Sequence, residues 1–323
     1  MLRIGILGAA RIAPRAIIEP ARRRSDVDVV AVASRRAGAA APYASQHGIA
    51  RAMDGYEALI GDPGIDLVFN ALPPVDHARW SILALEAGKD VLCEKPFAMN
   101  AREAEVMVDT ARRTGRRLIE AFHYRLHPAF RHLMALKSSG ALGAIISVEA
   151  RFDAAIPFGE SELRHLPDQG GGALMDLGCY CVHGLRSLME SEPVAVSANG
   201  TRTRLGVDES LSAELDFSGV PARLETNMAE GTPFLARLNV ESERGRLEFD
   251  NFVLPHQGHS VREWLDGGFV EHTLAGGTTY DFQLASVVDA LKSGAPHVNE
   301  GTDSVANMAA IDAIYQKAGF GPR

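Results

Sequence analysis

The first 120 residues alternate short apolar runs with stretches of helical period, and this restricts the kind of sheet the chain can build. Strands are expected at Arg3–Leu7, Val27–Ala33, Leu67–Asn70, Asp90–Glu94 and Arg117–Ala121. A strand without a polar side must be covered on both faces, and the intervening helices can do this only over a parallel sheet. The clearest helix is Asn100–Thr114: Asn100 can cap it, Glu103 can close a capping box, and Gly115 stops it. Ala104, Met107, Val108 and Ala111 give that helix one apolar face.

After about residue 140 the texture changes. The segments ISVEARFDA, PVAVSANGT, SLSAELDFS, ARLETNMAE, LARLNVESE and GRLEFDNFV follow one another with turn residues between them. Ala236, Leu238 and Val240 fall on one side, Arg237, Asn239 and Glu241 on the other, the alternation of an antiparallel sheet with one covered face. Helices are expected near Leu126–Ser138, Ala173–Met189, Asp281–Ser293 and Asp303–Ala318. The fold class is therefore α/β: a Rossmann-type dinucleotide-binding domain over residues 1–122, then an α+β domain over 123–323 with an open, largely antiparallel sheet for substrate binding and oligomerisation.

The totals exclude several roles. A net charge of −8 gives no basic field for nucleic acid. No apolar run approaches the ~20 residues of a membrane span, and the opening MLRIGILGAA runs straight into a strand without a signal-peptide layout. Cys93, Cys179 and Cys181 are too few for a disulfide framework and read as buried thiols, so a cytoplasmic location is expected. His123 and His127 are four apart, but no acidic residue is spaced to complete a metal site and Pro128 follows, so no metal is expected. No repeat, low-complexity segment or nucleophile elbow is present.

GILGAARIA ends the first strand. Gly8, Ala10 and Ala13 occupy the small positions of a G-x-G-x-x-G/A turn, so Gly8, Ala9, Ala10, Arg11 and Ile12 are candidate pyrophosphate contacts. The second strand ends in Ser34, Arg35 and Arg36, where an NAD site usually carries a carboxylate. A hydroxyl and guanidinium forks suit a 2′-phosphate, which favours NADP over NAD.

Four further segments carry a family resemblance: NALPPVDH, EAGKDVLCEKPF, EAFHYRLHP and GGGALMDLGCYCVHGLRSL. Together they resemble the Gfo/Idh/MocA oxidoreductases over nearly the whole chain, in particular the branch of dimeric dihydrodiol dehydrogenase, NADP-dependent xylose dehydrogenase and glucose–fructose oxidoreductase. Tyr180 stands where other branches carry His. The resemblance implies hydride transfer between a nicotinamide and a sugar or polyol, with Lys95 beside the substrate hydroxyl, Glu94 nearer the cofactor, and a Lys95–Pro96 bond that is often cis. It also implies that Leu72, Pro73 and His77 lie against the cofactor, that Tyr124 and Arg125 line the site, and that the sheet face pairs subunits into a homodimer or homotetramer.

Taking a hydride from a carbinol leaves an O–H proton for a general base. Asp176 and Tyr180 are four apart and share a helix face; His183 follows three residues later. A phenol titrates near 10 in water, and a neighbouring ammonium favours the phenolate. Tyr180 is therefore the candidate acid/base, assisted by Lys95, with Asp176 orienting substrate or holding Lys95; an Asp176–His183 relay is the alternative. Arg125 can contact cofactor or substrate or brace an ion pair, and Arg164 can hydrogen-bond a polyol. The run Gly170–Gly172 can admit a ligand close to the backbone or act as a loop that closes on binding. Two other functions fit the same scaffold: a non-catalytic NADP- or sugar-sensing regulator, and an oxidoreductase that recycles a cofactor it never releases.

Overall fold

The computed structural model describes residues 1–321. These divide into two compact units, one comprising Met1–Phe122 and Tyr280–Val305, the other His123–Thr279 and the described residues from Ala306 on.

The first unit is built on a six-stranded, wholly parallel sheet: β1 (Leu2–Leu7), β2 (Val27–Ser34), β3 (Arg51–Asp54), β4 (Leu67–Asn70), β5 (Asp90–Cys93) and β6 (Leu118–Glu120), in the order β3-β2-β1-β4-β5-β6. β3 was not expected. It is an edge strand whose side chains alternate between half-buried and exposed, so it lacks the apolar run that marks the others. A π-helical turn, Pro14–Ile18, continues into α1 (Glu19–Arg22), followed by α2 (Ala40–Gln46), α3 (Tyr56–Ile60), α4 (Pro74–Glu86) and α5 (Ala101–Thr114). In α5 the Asn100 side chain accepts from Glu103 N at 3.0 Å and Gly115 closes the helix at φ 65°. Glu103 reaches back one residue further than a capping box requires, to Met99 N at 3.1 Å.

α8 (Thr279–Ser293) returns to this sheet: Tyr280, Leu284, Val287 and Val288 are buried with Ile4, Ile6, Val29, Leu67 and Ile119 in one core cluster. The chain after it pairs with the edge of β6, where Glu120 N donates to Asn299 O at 2.8 Å and Arg117 pairs with Glu300. That covers an edge that would otherwise present unpaired backbone groups.

The second unit carries α6 (Pro128–Ser138), β7 (Ile145–Asp153), α7 (Cys179–Met189), β8 (Val194–Arg202), β9 (Asp208–Phe217), β10 (Val220–Asn227), β11 (Leu235–Ser242), β12 (Gly245–Asp250), β13 (Ser260–Leu265), β14 (Val270–His272) and most of α9 (Thr302–Lys317). The eight strands run β14-β13-β12-β11-β7-β10-β9-β8, antiparallel except for the β7–β10 pair. The alternation read in LARLNVESE holds: Ala236, Leu238 and Val240 are buried, and α7 packs on β7 and β10.

The opposite face carries a lattice of charges. Arg151 pairs with Asp153 and Glu225, Arg223 with Glu214 and Glu225, Arg237 with Asp250, and Arg262 with Glu248 and Asp250. It is thus a polar surface, not an apolar patch needing cover. The three cysteines are buried and free, and burial pushes the Cys93 and Cys181 thiols well above the ordinary range. Among the described residues no helix is long and apolar enough to cross a membrane.

Candidate active site

Because β1, β2, β4 and β5 are parallel, the segments that follow them leave the sheet at one edge. The order reverses between β1 and β4, and it is outside such a switch point that open α/β sheets bind ligands. Gly8 sits there with φ 95°, and a Cβ on it would come within 3.0 Å of Leu72 Cδ2. The glycine is thus required by its own backbone and by the neighbouring loop. Ala13 is fully buried, and Ala13 N donates to Ala10 O at 3.3 Å, so the turn is tight and its walls are small. Tyr43, which no motif singles out, donates its hydroxyl to Ala10 O at 2.9 Å; burial pushes its phenol up to about 12.

At the end of β2, Ser34 Oγ accepts from Arg36 N at 3.2 Å, a local turn of the backbone after the strand. Arg36 is exposed. Arg35 is held by Asp76 of α4 at 2.7 Å, with its guanidinium 5.6 Å from the centre of the Tyr56 ring. A carboxylate does therefore reach this corner, from α4 rather than from β2, and it engages an arginine.

His77 links two loops. Its Nε2 lies 2.7 Å from Leu72 O and its Nδ1 2.9 Å from Pro96 O, both in a buried setting. Burial dominates its titration and lowers its pKa. The Leu72–Pro73 turn and the Lys95–Pro96 corner thus meet on one side chain, which in its neutral form donates to one of the two carbonyls and packs against the other, and the Lys95–Pro96 bond is cis, as the resemblance implied. Glu94 is buried beside this corner; its charge, after burial itself, raises the Tyr280 phenol well above its ordinary value.

In the second unit, a 3-10 turn over His123–Leu126 faces α7. Tyr180 Oη lies 3.1 Å from His123 Nε2, and Tyr124 Oη lies 2.7 Å from His183 Nδ1. All four side chains are buried, and the Tyr180 ring contacts those of Tyr124 and Phe152 at 5.8 and 5.6 Å. His123 was not selected as a partner for Tyr180, since nothing in the spacing of 57 residues indicates it. Arg125, half-buried, lies on the same turn.

The helix of Ala173–Met189 begins as a π-helical turn, Leu174–Gly178, fixed at its start by the buried Asp208, which accepts from Leu174 N at 2.7 Å and from Tyr315 Oη at 2.7 Å. Asp176 accepts from Arg164 Nε at 2.8 Å; Arg164 also donates to Glu162 at 2.9 Å, and the Asp176 charge leads in raising its pKa. Arg164 is therefore clamped between two carboxylates. The glycine run closes on that arginine's backbone: Gly172 N donates to Arg164 O at 2.9 Å, and a Cβ on Gly171 would lie 2.6 Å from the same oxygen. At Gly171 and Gly172 the run lies close against the chain's own backbone.

Two family patterns match the sequence. One, for the oxidoreductase family with an NAD-binding Rossmann fold, covers residues 2–122; the other, for the GFO/IDH/MocA C-terminal domain, covers 130–248. The chain is a Gfo/Idh/MocA family oxidoreductase. It is 36% identical to D-xylose 1-dehydrogenase (NADP(+)) 2 of Haloferax volcanii over 99% of this chain and 98% of the relative. It is 38% identical to trans-1,2-dihydrobenzene-1,2-diol dehydrogenase of Xenopus tropicalis over 60% of this chain and 58% of that one. Among solved structures, a 3-ketoreductase from Actinomadura kijaniata in complex with NADP and TDP-benzene superposes with a TM-score of 0.89 at 27% identity, each chain covered to 98%. The aldose-aldose oxidoreductase of Caulobacter crescentus, complexed with glycerol, gives 0.90 at 26% identity, covering 98% of this chain and 97% of that one. Glu94 and Lys95 directly follow the buried end of β5, which stops at Cys93, one residue before the expected end.

The segment after β6 also yields a pH dependence. His127 caps α6 by accepting from Ala129 N at 3.2 Å, so its ring must stay neutral; burial first, then the charges of His259 and His256, lower its pKa to about 4. A histidine depressed below its unfolded value of about 6.5 adds stability that is whole above that value and is lost as pH falls toward 4. Urea midpoints measured between pH 7 and 4 are expected to fall less steeply for His127→Asn, which keeps a capping oxygen but does not titrate; identical slopes would refute this.

Proposed function

We propose that this oxidoreductase transfers a hydride between NADP and a carbinol or carbonyl carbon of a sugar or cyclic polyol. The observation that carries the reading is the end-to-end similarity to an NADP(+) xylose dehydrogenase. It is supported by a cradle that fits the group: Gly8 with its positive φ, small Ala9, Ala10 and Ala13, and the donors Ser34, Arg35 and Arg36 in place of a ribose-binding carboxylate on β2. The bound nicotinamide would accept or deliver the hydride.

The chain's own residues would then handle the proton and the oxygen. The Tyr180 phenol takes the carbinol proton in oxidation and returns it in reduction. The Lys95 ammonium favours the phenolate and polarises the substrate oxygen. Asp176 and Arg164, already an ion pair, offer a fork of donors and acceptors to neighbouring hydroxyls, while His123, hydrogen-bonded to Tyr180, orients the phenol and gives its proton a next partner. Phe152 of β7 touches both Tyr180 and Phe234, which gives the site an aromatic wall on the Tyr180 side. The ketoreductase from Actinomadura kijaniata has also been solved with one tyrosine changed to phenylalanine and with one lysine changed to alanine or glutamate. We infer further that subunits pair through the charged sheet face, as a wet, ion-paired contact.

Three measurements test this. NADPH oxidation over a panel of aldoses, ketoses and dicarbonyls is expected to show turnover, and Tyr180→Phe to lower kcat by about 10²-fold or more with NADPH binding retained; unchanged turnover would remove Tyr180 from the chemistry, and no turnover on any member would favour a regulator. Replacing Arg35 and Arg36 by Ala is expected to weaken NADPH binding by about tenfold or more, from lost charge-assisted hydrogen bonds, while NADH binding changes far less; equal losses for both cofactors would argue against 2′-phosphate recognition. Sedimentation at low salt is expected to give a dimer or tetramer that loosens as salt rises; a monomer at every concentration would reject the pairing.

A further inference from the structure

A cluster that belongs to none of the motifs above joins α6 to the edge of the second unit's sheet. Glu263 lies on β13 with Val261, two residues away and on the same side, facing the buried interior. β13 pairs with β14 so that Val261 is opposite His272, which brings that histidine to the same face. α6 lies over this corner and supplies His132. Glu263 Oε1 is 2.6 Å from His132 Nε2 and 3.1 Å from His272 Nε2, and one ligand atom from each of the three residues lies within 4.8 Å of the others.

We propose that His132, Glu263 and His272 form a binding site for a divalent first-row transition metal ion, with Zn²⁺ as its natural occupant. The donor set is two imidazoles and one carboxylate, the composition that binds such ions with a position left over for water. The carboxylate side chain is only 9% exposed, whereas the imidazoles are 24% and 33% exposed, so the ion would enter from solvent and meet an anion at the bottom. Tetrahedral bonds of about 2.0–2.1 Å put ligand atoms about 3.3 Å apart, so Glu263 needs to withdraw from His132 by less than about 1 Å. In the hydrogen-bonded arrangement each Nε2 carries a proton toward Glu263. On binding, that proton moves to Nδ1 or to solvent and the Nε2 lone pair goes to the ion.

This site is not legible in the sequence, because its members are 131 and 9 residues apart along the chain and match no ligand spacing. Its effect would be mechanical. β14 is a three-residue edge strand, and an ion held by α6, β13 and β14 would fasten it to the rest of the unit.

The test uses the full-length protein stripped with chelator. Calorimetric titration with Zn²⁺ is expected to give one ion per chain, and Co²⁺ to give visible d–d bands that Zn²⁺ abolishes. Glu263→Gln and His272→Gln should each weaken Zn²⁺ binding at least about tenfold, and Zn²⁺ should raise the Tm of the parent but not of either variant, since an ion that binds only the folded state stabilises it. Circular dichroism checks that each variant folds, and the half-exposed His272→Gln serves if Glu263→Gln does not. Absence of binding, or binding of equal strength in the variants, would overturn the proposal and leave a hydrogen-bonded His–Glu–His staple.

Discussion

Three backbone hydrogen bonds continue the parallel ladder one residue past the strand ends, and the candidate site of the first unit depends on them. Gly8 N donates to Ala33 O at 2.9 Å, Ala71 N to Leu7 O at 3.2 Å, and Glu94 N to Asn70 O at 3.0 Å. Each loop therefore departs from a fixed point, at the same edge, with a known direction. The glycine turn, the Leu72–Pro73 turn and the Glu94–Lys95–Pro96 corner then need only short-range braces, which Leu72 against Gly8 and His77 between two carbonyls supply. Backbone register does the coarse positioning and buried side chains the fine, which lets loop residues hold a geometry that loops alone rarely hold.

What the sequence disclosed follows the same division. Strands buried on both faces announce themselves as apolar runs, so β1, β2, β4, β5 and β6 were legible to within a residue or so. β3, with one half-exposed side, was not. The Asn100 cap and the Gly115 stop were legible because each is a local hydrogen-bonding rule. α8 was legible as a helix, but not the sheet it covers: Leu284, Val287 and Val288 would suit any apolar surface, and only the tertiary structure assigns them to the core around Ile4 and Leu67. Similarly, Ser34 and Arg36 at the end of β2 followed from the pattern, whereas Asp76, which holds Arg35 across 41 residues, did not.

The buried polar groups of the second unit show why residue type alone identifies candidates but not their partners. Spacing placed Tyr180 and His183 on one helix, and the helix is there. Their partners are two consecutive residues of a 3-10 turn, His123 and Tyr124, whose side chains diverge enough for each to meet a different residue of α7. A buried phenol or imidazole must find a hydrogen bond or lose the desolvation cost of leaving water. The pairing His183–Tyr124 meets that need for His183 within the unit, so its burial requires no catalytic role. Asp176, likewise, spends one oxygen on Arg164. Tyr180, for its part, meets an imidazole, His123, which can itself accept or release a proton.

A rule that sequence reading relies on is broken at β13, and the break is informative. SVREWL does not alternate cleanly, because Glu263 stands where the covered face wants an apolar residue, and so the segment did not read as a strand. The covered face of a sheet tolerates a carboxylate only if something nearby repays its lost hydration. On the opposite face the equivalent carboxylates, Glu248 and Asp250, meet Arg262. Among the described residues Glu263 meets no arginine; its partners are two histidines from separate elements, α6 and β14. Arginine gives a permanent charge and a fixed fork, which suffices for holding a sheet together. Histidine gives a donor that can be exchanged for a lone pair, and a chain that uses two of them around one buried carboxylate has built a pair of bonds that can be opened. Departures of this kind from local pattern tend to mark places where a protein keeps something other than stability.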